Sequence, residues 1–332
     1  MIFLWFKGEN MRIMVFDVPA EHGGALTILR EYYEKAEKDT GNEWIFVVSK
    51  PDFPEKENIK VVRLPWVKKS WFHRLYFDKI YSARLIKKYM PDKVISLQNT
   101  VVNAKGVYQE LYVHQPLPFC EKRFTFKENK IFWIYQNIIS RMIIRSIRKA
   151  DKIIVQTKWM RDAVCKKSKI SVDKAEIIQP DVEIPDGLAY KKDEQNLFFY
   201  PASGAVYKNH NIIYKAASLL VEEGYEDFKI ILTINKPENF STRFRDIENK
   251  IEFCGRIDRE KVYEHYSRSV LLFPSYIETF GLPLLEARKI NSPAIASNCA
   301  FCREILEGYE KAYYFNPFDH VELYNCMKDF IN

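Results

Sequence analysis

Cysteine is sparse in this sequence, with six residues in 332, which excludes a disulfide-stapled scaffold. Long uncharged apolar runs are missing too. The uncharged stretch Ile131–Ser140 is far short of the ~18–20 residues that a membrane-spanning helix needs. The apolar tip Met1–Phe6 has no basic region before it and no small-residue cleavage site after it, so a secretory signal is not expected. Met11 opens a better strand, and residues 1–10 read as a candidate leader. There is no internal repeat and no low-complexity tract.

What is present is an ordinary globular balance, 47% hydrophobic and 29% charged, and the 15% aromatic content excludes a disordered chain. The length is natural for two domains. The net charge of +7 is uneven: residues 1–180 carry 33 basic and 20 acidic side chains, or +13, and residues 181–332 carry −6. The halves look like separate units.

The first half reads as alternating strands and helices. Arg12–Val18 is a buried-strand run that ends in Pro19-Ala20-Glu21-His22-Gly23-Gly24. Further strands are expected at Trp44–Val48, Val61–Leu64, Lys93–Leu97, Leu111–Val113 and Lys152–Gln156, with helices near 67–89, 130–149 and 158–168. Ile177–Gly187 has two prolines and a glycine and is a linker candidate. Strands are then expected at Leu197–Tyr200, Phe228–Thr233, Ile251–Phe253, Val270–Phe273 and Ala294–Ser297, with helices near 209–222, 258–267, 281–290 and 319–331. This alternation predicts two doubly wound, Rossmann-like α/β domains facing a cleft, residues 1–182 and 183–332.

The densest chemical signal is Phe273-Pro-Ser-Tyr-Ile-Glu278-Thr279-Phe280-Gly281-Leu282-Pro283-Leu-Leu-Glu286-Ala287. A strand runs into a tight loop, and a helix opens near Gly281 with Pro283 in its first turn. The amides of Thr279, Phe280 and Gly281 would face the cleft, an arrangement suited to a phosphate. Glu278 and Glu286 could hold two hydroxyl-bearing parts of one ligand. Alone, two such carboxylates are ordinarily a solvated loop residue and a helix-surface charge, but the flanking sequence sets these apart.

The run Phe273–Ala287 resembles the Glu-x7-Glu signature of family 4 glycosyltransferases, retaining enzymes of the GT-B fold. Ile251–Ile257, Pro293–Ser297, Arg303-Glu304-Ile305 and Phe315-Asn316-Pro317 follow the family's order over about 120 residues, and the first half matches more weakly. The resemblance implies that Glu286 holds the donor ribose and that Glu278 contacts the transferred sugar. Thr279, Phe280, Gly281 and Leu282 would hold the sugar or diphosphate, and Gly255, Arg256 and Ile257 would line the base pocket. A nucleotide-diphosphate sugar would be the co-substrate. The sequence has no Asp-x-Asp motif, in keeping with an enzyme that needs no metal.

Lys208 lies in the loop after the first strand of the second domain, where a cation could neutralise a diphosphate leaving group. By itself it reads more readily as a surface lysine at a helix start; Glu278, Glu286 and the spacing favour the functional reading. The family usually adds an arginine upstream; Tyr200–Tyr207 contains none, and Arg256 is a candidate replacement. Gly23 and Gly24 occupy the loop that approaches donor phosphates and acceptor in the family, although many α/β domains place glycine there for backbone reasons. His114 matches a histidine that contacts the donor sugar in family members; a lone histidine is more often structural. Cys299-Ala-Phe-Cys302 has no second pair to complete a zinc site and reads as a loop. In such retaining enzymes the leaving phosphate itself can accept the acceptor's proton.

Residues 60–90 hold nine Lys/Arg and one acid, Asp78, interleaved with Trp66, Trp71, Phe72, Tyr76, Phe77 and Tyr81. This composition suits an anionic membrane surface, and equally a solvated basic face whose aromatics belong to the core. Phe72, Leu75, Tyr76, Ala83 and Ile86 recur at helical spacing, and Arg141, Arg145 and Arg148 form a second basic row. A nucleic-acid binder would also account for +13, but no such motif is present and the strongest motif lies in the acidic half. The expected activity is sugar transfer to a glycan or polyprenyl-diphosphate-linked acceptor in bacterial surface polysaccharide or lipopolysaccharide synthesis. It would take place in the cytoplasm, at the inner face of the membrane. The alternatives are a non-catalytic nucleotide-sugar-binding relative and a phosphorylase.

Overall fold

The computed structural model describes residues 10–331 except His22 and Glu194; the candidate leader, apart from Asn10, lies outside the described residues. The chain divides into two compact units, residues 1–180 and 181–332.

The first unit is a seven-stranded sheet of β1 (Arg12–Asp17), β2 (Glu43–Val48), β3 (Ile59–Arg63), β4 (Lys93–Ser96), β5 (Tyr108–Tyr112), β6 (Lys152–Val155) and β7 (Ala175–Ile177). The spatial order is β3-β2-β1-β4-β5-β6-β7 and every pairing is parallel. Alternate residues of β1 serve opposite faces. Ile13 and Val15 join a core with Ile28, Leu29 and Tyr33 of helix 23–38, while Met14 and Phe16 join Phe77 and Leu85. A strand buried on both faces must be apolar throughout, hence the uninterrupted runs in the sequence.

The second unit repeats this plan with β8 (Leu197–Tyr200), β9 (Lys229–Leu232), β10 (Ile251–Phe253), β11 (Val270–Phe273), β12 (Ala294–Ser297) and β13 (Ala312–Phe315). Its order is β10-β9-β8-β11-β12-β13, again all parallel. Each unit therefore has one switch point, β1/β4 in the first and β8/β11 in the second. There the crossovers diverge and the carboxyl ends of adjacent strands open a crevice.

Four details differ from expectation. β7, β13 and the helices Phe240–Arg243 and Ala300–Ile305 are additional. The expected helix at 67–89 starts at Trp71, because Ser70 caps it by accepting the His73 amide; Pro65–Lys68 is a separate 3₁₀ turn. The helices 71–89 and 130–149 each contain a π turn, at Phe77–Tyr81 and Tyr135–Ile139. Phe72, placed by its spacing on the stripe with Ala83 and Ile86, is 83% exposed. The π turn inserts one residue between these positions, about 100° of helix rotation, so a 3.6-residue period cannot run through it. Among the described residues no helix is long and apolar enough to cross a membrane.

Candidate active site

The loop after β8 and the loop after β11 meet at the second unit's switch point. The Tyr207 carbonyl accepts the Tyr276 amide at 3.1 Å. The buried Tyr200 hydroxyl donates to the Lys208 carbonyl at 3.0 Å. Asn209, in the left-handed conformation, anchors the same loop by donating to the Pro317 carbonyl at 2.7 Å. This knitting brings Lys208 Nζ onto Glu278 Oε1, and both side chains are mostly enclosed. The Ser275 hydroxyl donates to the same carboxylate oxygen at 2.6 Å.

Gly281 ends the loop at φ 102° and caps helix 282–290. The backbone conformation calls for glycine, and a Cβ there would also sit close to Leu284 Cδ1 at 3.1 Å and Phe273 Cζ at 3.4 Å. The amides of Phe280 and Gly281 donate to no other backbone group among the described residues. The Phe280 ring is buried, so only its backbone is available to a ligand, while Thr279 and Leu282 are partly exposed.

Glu286 lies one turn into that helix and is 8% exposed. Tyr266 donates to its Oε2 at 3.0 Å, and Arg259 stands 3.7 Å from Oε1. Burial raises its pKa, while Tyr266 and Arg259 oppose that rise. Tyr266 and Arg259 were not legible as site residues, because nothing in the sequence links positions 20 and 27 residues before the glutamate to it. Gly255 follows β10 at φ 65°, and a Cβ there would lie 3.1 Å from Asn235 Oδ1. Ile257 is partly buried, and Arg256 is exposed with no ion-pair partner among the described residues.

In the first unit Gly23 starts helix 23–38 at φ 65°, and a Cβ on Gly23 or Gly24 would meet nothing. Backbone conformation at Gly23, not close packing, accounts for the first of the pair. His114 lies two residues beyond β5, its amide bound to Asn99 Oδ1 at 2.8 Å and its ring edge-on to Tyr112. Burial pushes its pKa down to about 4, so the imidazole is neutral at physiological pH. Cys299 and Cys302 are both free thiols.

Residues 189–332 match the family model for glycosyl transferases group 1. The O-antigen chain mannosyltransferase RfbU of Salmonella typhimurium is 23% identical over 229 residues, 67% of this chain; the chain spans 60% of the length of that curated relative. Among solved structures, sucrose-phosphate synthase from Thermosynechococcus elongatus superposes with a TM-score of 0.73 at 15% identity, covering 97% of this chain and 90% of the other. Anabaena HepE in complex with UDP superposes at 0.67 and 14% identity, covering 97% and 90%. The fold is thus the GT-B fold, two Rossmann-like α/β domains. The second of these is the part of the chain that matches the glycosyl transferases group 1 model.

Proposed function

We propose that the chain is a retaining glycosyltransferase that passes a sugar from a nucleotide-diphosphate-sugar donor to a glycan or polyprenyl-diphosphate-linked acceptor. The setting is the assembly of bacterial surface polysaccharide or lipopolysaccharide. The observation that carries the reading is the Lys208–Glu278 pair at the β8/β11 switch point, beside the glycine-capped helix that bears Glu286. The group 1 match supports sugar transfer, the likeness to an O-antigen mannosyltransferase supports the setting, and the likeness to a UDP-bound protein supports the donor class.

On this reading Lys208 faces the diphosphate and stabilises the negative charge that grows as the bond between sugar C1 and phosphate oxygen breaks. Glu278 contacts the transferred sugar, and Glu286, oriented by Tyr266, accepts hydrogen bonds from the ribose hydroxyls. The acceptor oxygen bonds C1 on the face the diphosphate leaves, and the departing phosphate oxygen takes the acceptor's proton. Lys208 supplies the charge that a divalent cation would otherwise bring, and no metal is proposed. Donor binding must first part Lys208 from Glu278.

The same reading puts the protein in the cytoplasm at the inner face of the membrane. Trp71 and Phe72 are 64% and 83% exposed at the start of a helix rich in Lys and Arg, which supports a peripheral contact with anionic lipid.

A panel of nucleotide sugars tested by thermal shift, followed by transfer assays, checks the proposal. A ligand that binds only the native state raises the melting temperature, and one donor is expected to do so more than its free nucleotide. No response to any nucleotide or nucleotide sugar refutes it. Stabilisation with no transfer to bacterial envelope extracts turns the reading to a non-catalytic binder.

A further inference from the structure

The first unit has a site of its own at its switch point. The chain leaving β1 and the chain leaving β4 open a cavity of about 390 Å³, walled by helices 71–89 and 130–149. Leu75, Asp78, Thr100 and Met142 also line a second cavity of about 910 Å³, so the two form one groove between the helices.

Three observations mark the groove as built for a ligand. Gln98 is 4% exposed and lines the inner cavity; its Nε2 donates to Asp78 Oδ1 at 3.2 Å, but its Oε1 has no partner. A buried amide oxygen left unpaired is costly, and a ligand hydroxyl would relieve that cost. Next, the π turns of both wall helices fall on the groove. The first brings Asp78 and Lys79 to its lining, the second Tyr135 and Ile139. π turns are rare in α-helices and fall frequently at functional sites. Finally, the lining is graded. The inner end has Gln98 and Arg74, whose Nε donates to Asp78 at 2.9 Å. Leu75, Ile139 and Met142 form an apolar stretch beyond it. At the outer end Lys79, Arg145 and Lys149 form no ion pair among the described residues, and the Asp151 carboxylate there accepts the Gln109 amide at 2.7 Å.

We infer that this groove binds the acceptor, and that the acceptor is a glycan bearing a phosphate or diphosphate about two sugar units from the hydroxyl that is glycosylated. The inference rests on the glycosyltransferase reading above. Seven residues of helix separate Met142 from Lys149, about 10 Å at 1.5 Å per residue. A disaccharide laid along the apolar stretch would present its hydroxyls to Gln98 and its anionic end to the three cations. The phosphate would be one that links a glycan to its carrier lipid. A bilayer phospholipid head group offers the same charge, and the test separates the two.

The probes are chitobiosyl decyl diphosphate, chitobiose and inorganic diphosphate, titrated calorimetrically into the full chain, with UDP and GDP as controls. The conjugate is expected to bind at least tenfold more tightly than either fragment. Arg145→Glu/Lys149→Glu should remove at least tenfold of that affinity and leave nucleotide binding unchanged. No binding of the conjugate at 1 mM overturns the proposal, as does equal binding of conjugate and inorganic diphosphate. It also fails if the double variant loses phosphatidylglycerol vesicles but holds the conjugate like the parent, since the cations would then read the bilayer. Loss of nucleotide binding in the parent protein, with the conjugate still bound, would refute the glycosyltransferase reading and leave the groove assigned.

Discussion

Lys208 and Glu278 lie 70 residues apart in sequence and meet as an ion pair, with the Ser275 hydroxyl completing the carboxylate's contacts at 2.6 Å. On the proposed reading, each charge neutralises the other until a diphosphate and a sugar take them separately. Glu278→Gln and Lys208→Ala should therefore lower kcat by about 10²–10³-fold, the usual loss when one charge-stabilising group is removed. Far-ultraviolet circular dichroism should be unchanged, and parental turnover in both variants would refute the assigned roles.

Glu286 is the group on which nucleotide affinity should depend. Glu286→Ala is expected to weaken UDP or GDP binding at least tenfold by calorimetry. Tyr266→Phe removes one orienting hydrogen bond, worth about 1 kcal/mol, and should weaken it about fivefold. Because burial raises the Glu286 pKa, affinity should begin to fall at a higher pH than for an ordinary carboxylate as the solution is acidified. Equal affinity in Glu286→Ala would remove the ribose assignment.

Asp17 closes β1 with its carboxyl fully buried and neither oxygen in a hydrogen bond of good geometry. Burial raises its pKa well above the ordinary value, against a smaller opposing pull from the Ala20 amide and the Arg74 and Lys68 charges. The folded state thus keeps a proton that the unfolded state releases near pH 4, so this group's contribution to stability is complete below that pH and declines as pH rises toward the folded pKa. Asp17→Asn should stabilise the fold at pH 7–8 by about 1–3 kcal/mol of relieved desolvation, read as a higher melting temperature, and change little at pH 4. An unchanged pH profile would contradict it.

His114 titrates in the opposite sense. Its folded pKa of about 4 lies below the ordinary 6.5, so the unfolded chain binds the proton first and stability drops as pH falls from 6.5 toward 4. Nuclear magnetic resonance should find this ring neutral at pH 6, and His114→Gln should flatten that part of the stability curve. His210, also held near 4 by burial and then by Lys208, should behave alike. A His114 midpoint near 6.5 would refute the downward shift.

Peripheral attachment should depend on charge and on two rings. The protein is expected to sediment with phosphatidylglycerol vesicles, not phosphatidylcholine vesicles, and to be released by high salt. Trp71→Ala/Phe72→Ala should reduce binding several-fold, and equal sedimentation with both vesicle types would exclude the electrostatic contact.

The sequence by itself determined the strands buried on both faces, because such strands must be apolar from end to end, as in β1, β2 and β11. It also determined the loop and helix of residues 274–290, where Gly281 and Pro283 leave the backbone few choices. It did not reveal β7 and β13, edge strands three and four residues long with partly exposed side chains, because so few residues leave little periodicity to read. Only tertiary structure joined Lys208 to Glu278, Tyr266 to Glu286 and Gln98 to Asp78. These contacts form between different crossovers at a switch point, and periodicity records a residue's own helix or strand, not what the next crossover brings beside it.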